Sequence, residues 1–287
     1  MGKRIGVIGG DLRQITVADF LSKDGFDVSV YGFDRKHIPG SVNAAENIDD
    51  ALSNSRTVIL GIAPLDDKMN VKTPYWSDSI SVSSLLSFMS PGSRLIGGKL
   101  PETLTSLCIK SQIHCVDYAD REDFAVLNAV PTAEGALAIA MDEMPFTLHN
   151  SRCLVTGFGR IGKILARYLN QLGANVTCSA RKSGDLAWIN ALGYNGVHTA
   201  GISDIVHNSD IIFNTIPTCI FSSALLRNIR PGTLIIDLAS KPGGVDFDAA
   251  TQLGIKAIHA LSLPGKCAPV TAGKIIKDTV VNILNEI

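Results

Sequence analysis

The feature that most constrains this chain is an internal repeat with a period of about 150 residues. Residues 3–34 and 151–182 share one order: a short apolar strand, a glycine-rich turn, an amphipathic helix, a glycine and a second strand. Three later pairs of segments continue the parallel, namely 56–64 with 210–217, 89–101 with 230–242, and 128–141 with 267–280. Strands that alternate with helices in this way indicate parallel βαβ units covered by helices on both faces.

We therefore predict an α/β fold of two Rossmann-like, doubly wound parallel-sheet domains, related by the repeat and joined by interdomain helices. The first domain should comprise residues 1–130 together with a C-terminal helix at 270–287. A linking helix at 131–149, initiated near Thr132, should lead to a second domain at 150–269. The cleft between two such domains is the expected place for an active site.

Composition narrows the class of protein. The chain has 287 residues, enough for two domains with their own cores, and its net charge of −1 provides no basic field for nucleic acid or an anionic membrane. We expect no apolar stretch of transmembrane length, and Asp11 and Arg13 interrupt the N-terminal apolar run, which favours a strand over a signal peptide. The six cysteines form no CxxC pair, so we predict reduced core cysteines in a cytoplasmic protein, without structural zinc.

The second half carries a dinucleotide fingerprint directly after a strand and at the start of a helix. Gly157 allows a tight turn, Gly159 lets the backbone approach a diphosphate, and Gly162 lets helix and strand pack closely. The diphosphate would lie on free N–H groups at the helix N-terminus. The predicted contacts of this turn are Gly157, Phe158, Gly159, Arg160, Ile161 and Gly162.

The segment "CSARKS" (178–183) indicates which dinucleotide binds. Arg181 lies 19 residues after Gly162, close to the spacing at which NAD sites place an acid. Ser179, Arg181 and Lys182 offer donors and positive charge, which suit a 2′-phosphate. The alternative is an ordinary solvated loop. We predict NADP in preference to NAD.

Later strand ends of the same half should complete the site, because ligands of this fold lie beyond the carboxyl ends of parallel strands. We expect the adenosine ribose or diphosphate to contact Thr215, Ile216 and Pro217, and the nicotinamide to approach Ala239, Ser240 and Pro264. Ser240 and Lys241 are also candidates for contact with the substrate.

The first half lacks the glycine spacing, and Asp11 would repel a diphosphate, so we assign the substrate to it. Arginine and lysine suit an anionic substrate, and carboxylates suit a catalytic base. The candidate substrate contacts are Asp11, Arg13, Gln14, Lys99 and Thr132, and the candidate bases are Asp120, Glu122 and Glu134. The polar loop at 67–79 either closes over the cleft or is a surface loop anchored by Tyr75 and Trp76.

Five motifs together resemble the dipicolinate synthase A-subunit family of spore-forming bacteria, over nearly the whole chain: "GGDLRQ", "NAVPTAEGA", "GFGRIGK", "ASKPGGVDF" and "LPGKCAPVTAG". The resemblance implies oxidation of a dihydro- or hydroxytetrahydro-dipicolinate to pyridine-2,6-dicarboxylate in the mother cell during sporulation. It also implies that a flavoprotein-like dipicolinate synthase B subunit is the partner, and we expect a homo-oligomer.

Two alternatives remain open at the level of sequence. One is another two-domain NAD(P)-dependent dehydrogenase of a hydroxy or amino acid, which would pair a catalytic histidine with a carboxylate. His198, His207 and His259 lie in the second half without an evident partner motif. The other is a non-catalytic NADP-binding component of a complex.

Overall fold

The structure, a computed structural model, describes residues 4–286 and divides into two compact units. Unit 1 comprises the described residues up to Asn128 together with those from Ala268 onward, and unit 2 comprises Ala129–Cys267. The ends of the predicted ranges at residues 1–3 and 287 lie outside the described residues.

Unit 1 contains a six-stranded parallel sheet with the strand order β3-β2-β1-β4-β7-β8. A small antiparallel pair, β5 and β6, lies outside this sheet. The strands are β1 Arg4–Ile8, β2 Asp27–Tyr31, β3 Asn43–Ala44, β4 Ser55–Ile62, β5 Asn70–Val71, β6 Ile80–Ser81, β7 Arg94–Gly98 and β8 His114–Asp117. The helices that begin in this unit are α1 Leu12–Lys23, α2 Ile48–Leu52, α3 Val82–Ser87, α4 Glu102–Lys110, α5 Glu122–Glu143 and the last helix of the chain, α11 Pro269–Glu286.

Unit 2 contains a second six-stranded parallel sheet with the order β11-β10-β9-β12-β13-β14. Its strands are β9 Arg152–Thr156, β10 Asn175–Ala180, β11 Asn195–His198, β12 Ile211–Asn214, β13 Leu234–Asp237 and β14 Lys256–His259. Its helices are α6 Arg160–Gln171, α7 Ser183–Ala191, α8 Ser223–Leu226, α9 Phe247–Gln252 and α10 Leu263–Cys267.

The two sheets repeat one topology, the 3-2-1-4-5-6 order of a doubly wound dinucleotide fold. The repeat holds in detail, because the Gly9 amide donates to the Tyr31 carbonyl and the Gly157 amide donates to the Ser179 carbonyl at the same turn. The predicted fold class is therefore confirmed, and equivalent positions in the two units can be compared directly.

The sheets are buried on both faces, as the sequence pattern requires. In β4, Ile59 packs into the cluster that includes α1 and α11, while Val58 and Leu60 pack into the cluster on the opposite face. Each fully buried aliphatic side chain of this kind stabilises the fold by about 1.5–3 kcal/mol. Gly273 allows α11 to approach α1 closely, since a Cβ there would lie 2.5 Å from the Cβ of Thr16.

The helix after β8 differs from the prediction. The helix α5 begins at Glu122, so Thr132 is a buried residue inside it and does not initiate it. Pro131 lies within the same helix, where it removes one backbone donor. The alanines that follow it, Ala133 and Ala136, are fully buried in the core of unit 2, and this packing offsets the cost.

By length and composition, α5 is the one helix within the described residues that is apolar enough to cross a membrane. This differs from the expectation of no such stretch. The apolar stretch of α5 is 44% buried within the protein, and core helices of globular domains have similar length and composition.

All six cysteines are free thiols. Cys153 and Cys178 are buried in β9 and β10, and burial raises the pKa of their thiols to about 11 and about 12. They are therefore core residues without nucleophilic character at neutral pH. Among residues 4–286, no group of three or more histidine, cysteine, aspartate or glutamate side chains is placed to hold a metal ion.

Candidate functional site

The glycine turn between β9 and α6 leaves no space for side chains at two positions. Gly157 has a φ of +90°, and a Cβ there would collide with the hydroxyl of Thr215. A Cβ on Gly162 would collide with the carbonyl oxygen of Gly157. The first turn of α6 therefore packs directly against the end of β9, as the fingerprint predicts.

Gly159 is different, because the space beside it is open. It is the N-cap of α6, and apart from Gly159 itself and its two chain neighbours no heavy atom of the described residues lies within 4 Å of the place where its Cβ would stand. Because its N-cap is a glycine, this helix has no side-chain cap from its own N-cap residue. An uncapped helix N-terminus with free approach binds anions, so these residues fit the diphosphate of a dinucleotide.

The equivalent helix terminus in unit 1 is closed by its own side chains. Asp11 caps α1 by accepting from the amide of Arg13 at 3.0 Å, and Gln14 Oε1 accepts from the amide of Asp11 at 3.2 Å. Gln14 stands where unit 2 has Gly162, and it is fully buried. Oε1 of Gln14 belongs to the helix cap, whereas its buried Nε2 has no hydrogen-bond partner among the described residues, so a contact of Gln14 with the substrate stays a prediction.

The nucleotide crevice of unit 1 is filled by the segment 70–76 of the same unit. The amide of Gly10 donates to the carbonyl of Lys72 at 2.8 Å, and the amide of Asp34 donates to the carbonyl of Tyr75 at 2.8 Å. The Trp76 ring lies 6.0 Å from the Tyr31 ring at the end of β2. Backbone thus occupies the position beyond β1 and β2 where a dinucleotide would lie in this fold.

Arg181 and Lys182 lie at the carboxyl end of β10, and both are exposed. They directly precede α7, which begins at Ser183, so two cations and a helix N-terminus adjoin each other. Ser179 does not join them: it lies within β10, is fully buried, and its hydroxyl has no partner among the described residues. The burial of Ser179 does not favour the predicted phosphate contact, because β10 continues for one residue beyond it.

A buried polar network supports the carboxyl ends of β9, β12 and β13. The Thr156 hydroxyl donates to Asn214 Oδ1 at 2.6 Å, and Asn214 Nδ2 donates to Asp237 Oδ1 at 2.7 Å. The amide of Ile216 also donates to Asn214, so the network fixes the Thr215–Ile216 turn that flanks Gly157. The predicted cofactor residues Gly157, Thr215 and Ile216 are thereby brought together, with Pro217 exposed beside them.

Asp237 also orders the loop after β13. Its carboxylate accepts from the amides of Ala239 at 3.1 Å and Gly244 at 2.7 Å. Ala239 is buried, whereas Ser240 and Lys241 are exposed on this loop.

Two further residues at this side of unit 2 bear on the sequence predictions. Pro264 is buried within α10, which leaves it little surface for the predicted nicotinamide contact. His259 Nε2 lies 2.9 Å from the Ala239 carbonyl, and its ring stacks on Phe247 at 5.2 Å.

In unit 1 the guanidinium of Arg13 is held by Asp11 in a two-point ion pair. Arg13 Nη2 lies 2.7 Å and Nε 2.9 Å from the carboxylate oxygens, and Arg13 is only 8% exposed. Burial would raise the pKa of Asp11, but the hydrogen bonds from Arg13 outweigh it and lower that pKa. Burial would likewise lower the pKa of Arg13, and the bond to Asp11 raises it. Both groups are therefore charged at neutral pH.

At the ends of two strands of unit 1, a residue other than glycine has a positive φ, and lysine side chains lie at the same edge of the sheet. Ala63, after β4, has a φ of +48°, and Lys99, after β7, has a φ of +51° and is exposed. The Lys72 ammonium donates to the Ala63 carbonyl at 2.9 Å, which places a third cation at this edge of the sheet. Lys72 is not among the residues predicted from the sequence, because no local signal shows that its loop returns to the end of β4.

The three candidate bases are all exposed but are not adjacent. Asp120 ends a 3-10 turn, and Glu122 is the first residue of α5. Glu134 lies on the exposed side of α5, 12 residues later, which is about 18 Å along a helix axis. Asp123, beside Glu122, is paired with Arg121, which lowers the pKa of Asp123 to about 2.

Comparison with known families covers both halves of the chain. Residues 4–119 match the N-terminal domain of the dipicolinate synthase A subunit. Residues 132–249 match the NAD-binding domain of the D-isomer specific 2-hydroxyacid dehydrogenases. The second match agrees with the open glycine turn of unit 2, so the cofactor of this unit is a nicotinamide dinucleotide.

Individual relatives extend over the whole chain. The dipicolinate synthase A subunit of Bacillus subtilis (strain 168) is 34% identical over 290 residues, which cover 100% of this chain and 97% of the relative. The crystal structure of the dipicolinate synthase A subunit from Bacillus halodurans has a TM-score of 0.93 at 32% identity, covering 99% of this chain and 98% of that one. A transhydrogenase from Sinorhizobium meliloti, with a TM-score of 0.73 at 16% identity and coverages of 98% and 93%, shares the fold.

Proposed function

This chain belongs to the dipicolinate synthase A-subunit family, and we propose that it forms pyridine-2,6-dicarboxylate with hydride transfer to NADP. The observation that carries the proposal is the family match over the full chain, together with a helix N-terminus that is open in unit 2 and closed in unit 1. The general class of the reaction, an NAD(P)-dependent oxidation or reduction, follows from the match of residues 132–249 to an NAD-binding dehydrogenase domain.

The reaction balances as a two-electron oxidation. A dihydrodipicolinate loses one hydride and one proton and becomes the aromatic pyridine ring; a hydroxytetrahydro precursor first loses water. NADP, when bound, accepts the hydride at its nicotinamide ring. The protein has to bind two carboxylates, align the rings and provide a group that takes the proton.

For the cofactor, we propose that the backbone from Gly157 to Gly162 holds the diphosphate. Phe158 contributes its amide, because its side chain is buried in the core, and Arg160 and Ile161 contribute the first turn of α6. The Thr215–Ile216–Pro217 turn and the 239–241 loop would border the ribose and nicotinamide. Arg181 and Lys182 would hold a 2′-phosphate, since guanidinium and ammonium groups at a helix N-terminus favour a doubly charged anion.

For the substrate, we propose that Arg13 and Lys99 bind the carboxylates. Asp11 fixes the plane of the Arg13 guanidinium through its bonds to Nε and Nη2, which leaves Nη1 to meet a ligand. Lys72 adds charge at the same strand ends. Glu122, Asp120 and Glu134 are the proposed candidates for the base, and all three residues are exposed.

We further propose that the chain acts with a dipicolinate synthase B subunit, in the cytoplasm of a sporulating mother cell, and as a homo-oligomer. The name of the relatives, which designates them as one of the subunits of a synthase, supports the partner. Exposed apolar side chains on separate helices, Ile109 and Trp188 among them, would supply anchors for such contacts.

The proposal is tested by incubating the purified chain, alone and with a candidate B subunit, with freshly prepared dihydrodipicolinate precursor and either NADP or NAD. The absorbance of the reduced nicotinamide and of the product pyridine are followed together. We expect both to rise in equal amounts, faster with NADP. Tight NADP binding without oxidation under any combination would favour a non-catalytic role and overturn the proposal.

A further inference from the structure

The turn that carries Lys99 is held in a backbone conformation that lysine rarely adopts. The φ of Lys99 is +51°, at the point where β7 ends. A side chain with a Cβ resists this region, so such residues persist only where their surroundings impose it, and they concentrate at ligand sites.

The side chain of Asp117 imposes this conformation. Its Oδ1 accepts from the amide of Lys99 at 3.0 Å, and its Oδ2 accepts from the amide of Leu100 at 2.7 Å. The same Oδ1 accepts from the amide of Ala119 at 2.7 Å. One carboxylate therefore binds two successive amides of the Lys99 turn and caps the turn that follows its own strand.

The glycines before Lys99 allow the neighbouring side chains to close on the turn. A Cβ on Gly98 would lie 2.5 Å from Cε2 of Tyr118, and a Cβ on Gly97 would lie 2.6 Å from Cδ2 of Leu100. Tyr118 is fully buried. The turn is therefore held by the close packing of Tyr118 against Gly98 and by the hydrogen bonds from its amides to Asp117.

In unit 2 the equivalent turn is also held by a side chain of the neighbouring strand, but this side chain is a histidine and it bonds to a backbone carbonyl. Asp117 is in register with Gly97, and His259 is in register with Asp237, so Lys99 and Ala239 occupy equivalent positions. In unit 2 His259 Nε2 bonds to the carbonyl of Ala239 at 2.9 Å. In both units the last residue of the edge strand, β8 or β14, holds the turn after the neighbouring strand, β7 or β13. This fold places ligand contacts at that turn.

We propose that Asp117 is a positioning residue for the substrate: it holds the Lys99 backbone so that the Lys99 ammonium meets a substrate carboxylate. This inference rests on the proposed function, in which Lys99 binds that carboxylate. A role limited to capping the 118–120 turn would explain the bond to Ala119 but not the two bonds to the Lys99 turn.

A double-mutant cycle tests the proposal. The dissociation constant of pyridine-2,6-dicarboxylate is measured by calorimetry with NADP present, and KM and kcat are measured in the oxidation assay. The variants are Asp117→Ala, Lys99→Ala and the double variant. We expect Asp117→Ala to weaken dicarboxylate binding about tenfold in the wild-type background and less than about twofold in the Lys99→Ala background, because coupled residues are not additive. NADP affinity should stay unchanged.

Asn47→Ala is the matched control, since Asn47 caps α2 in the same unit by accepting from the amide of Asp50. It should lower the melting temperature without weakening dicarboxylate binding. If Asp117→Ala does not fold, Asp117→Asn replaces it in the cycle: it keeps one acceptor for Lys99 but loses the acceptor for Leu100, and it should show a smaller coupled loss.

Equal losses from the Asp117 substitution in both backgrounds, or no loss in either, would overturn the role of Asp117. Failure of the proposed function would be seen separately, as a wild-type protein that binds no dicarboxylate and oxidises no precursor.

Discussion

Asn214 Nδ2 lies 2.7 Å from Asp237 Oδ1, and this hydrogen bond joins the carboxyl ends of two neighbouring strands in unit 2. Both residues are fully buried. Asn214 also accepts from Thr156 and from the amide of Ile216. The pair therefore links the loop after β13 to the turn that flanks Gly157, and it fixes the edge of the sheet at which the cofactor is proposed to bind.

Replacement of Asn214 by leucine should be strongly destabilising, because Asp237 would lose a donor while remaining buried. We expect the free energy of unfolding to fall by about 2–4 kcal/mol, measured by urea denaturation. The control is Asn175→Ala, which removes a hydrogen bond from an exposed asparagine of the same sheet and should lower it by less than about 1 kcal/mol. Similar losses for the two variants would contradict the importance of the network.

Two glycine substitutions should separate cofactor binding from stability. Gly159→Ala places a methyl group in open space, so the melting temperature should stay within about 2 °C while dinucleotide affinity falls at least about tenfold. Gly162→Ala forces a clash with the Gly157 carbonyl and should lower both. Thermal shift and fluorescence titration with NADPH measure the two quantities. Unchanged affinity in Gly159→Ala would argue against a diphosphate at this helix terminus.

Arg181→Ala should weaken NADP binding much more than NAD binding. A charge-assisted contact to the 2′-phosphate contributes about 1.5–3 kcal/mol, which corresponds to roughly a 10- to 100-fold change in affinity. Arg167→Ala, which removes an exposed arginine from α6, is the control and should leave both affinities unchanged. Equal losses for NADP and NAD in Arg181→Ala would remove the basis for preferring NADP.

The sequence predicts those parts of the fold that depend on local pattern. The two sheets and the positions of Gly157 and Gly162 follow from strand–turn–helix spacing, because a glycine there is required by the backbone itself. The capping box of Asp11 and Gln14 is also local and is visible in "DLRQ", although the same residue types are equally compatible with a substrate site.

Other features of the site depend on contacts between distant parts of the chain. Ser179 is buried because one residue separates it from the exposed loop after β10, and periodicity does not mark that boundary. The filling of the unit 1 crevice by residues 70–76, and the bonds from Asp117 to the Lys99 turn, join segments that are far apart in the chain. Nothing in either segment alone indicates its partner.

The Arg121 ion-pair cluster predicts a pH dependence of stability. Arg121 bonds to Asp123 at 3.0 Å and to Glu286 at 2.6 Å, which ties the end of α11 to the start of α5 within unit 1. The bond from Arg121 lowers the pKa of Asp123 to about 2, and a bond from the same guanidinium lowers the pKa of Glu286. In the unfolded chain the pKa of such carboxyl groups is about 4.

A carboxyl group whose pKa is lower in the folded state stabilises the protein above its unfolded pKa, and this stabilisation is lost as the pH falls towards its folded pKa. Arg121→Ala should therefore lower the melting temperature by about 1–3 °C at neutral pH, because the cluster is largely exposed to solvent. The difference from wild type should shrink between about pH 4 and pH 2. Arg56→Ala, at an exposed arginine of β4, is the control and should show no such pH dependence. The melting temperatures of wild type and variants are measured from about pH 2.5 to about pH 7, in steps of about 0.5 pH units. A constant difference between Arg121→Ala and wild type across that range would show that Arg121 acts by packing and not through its charge.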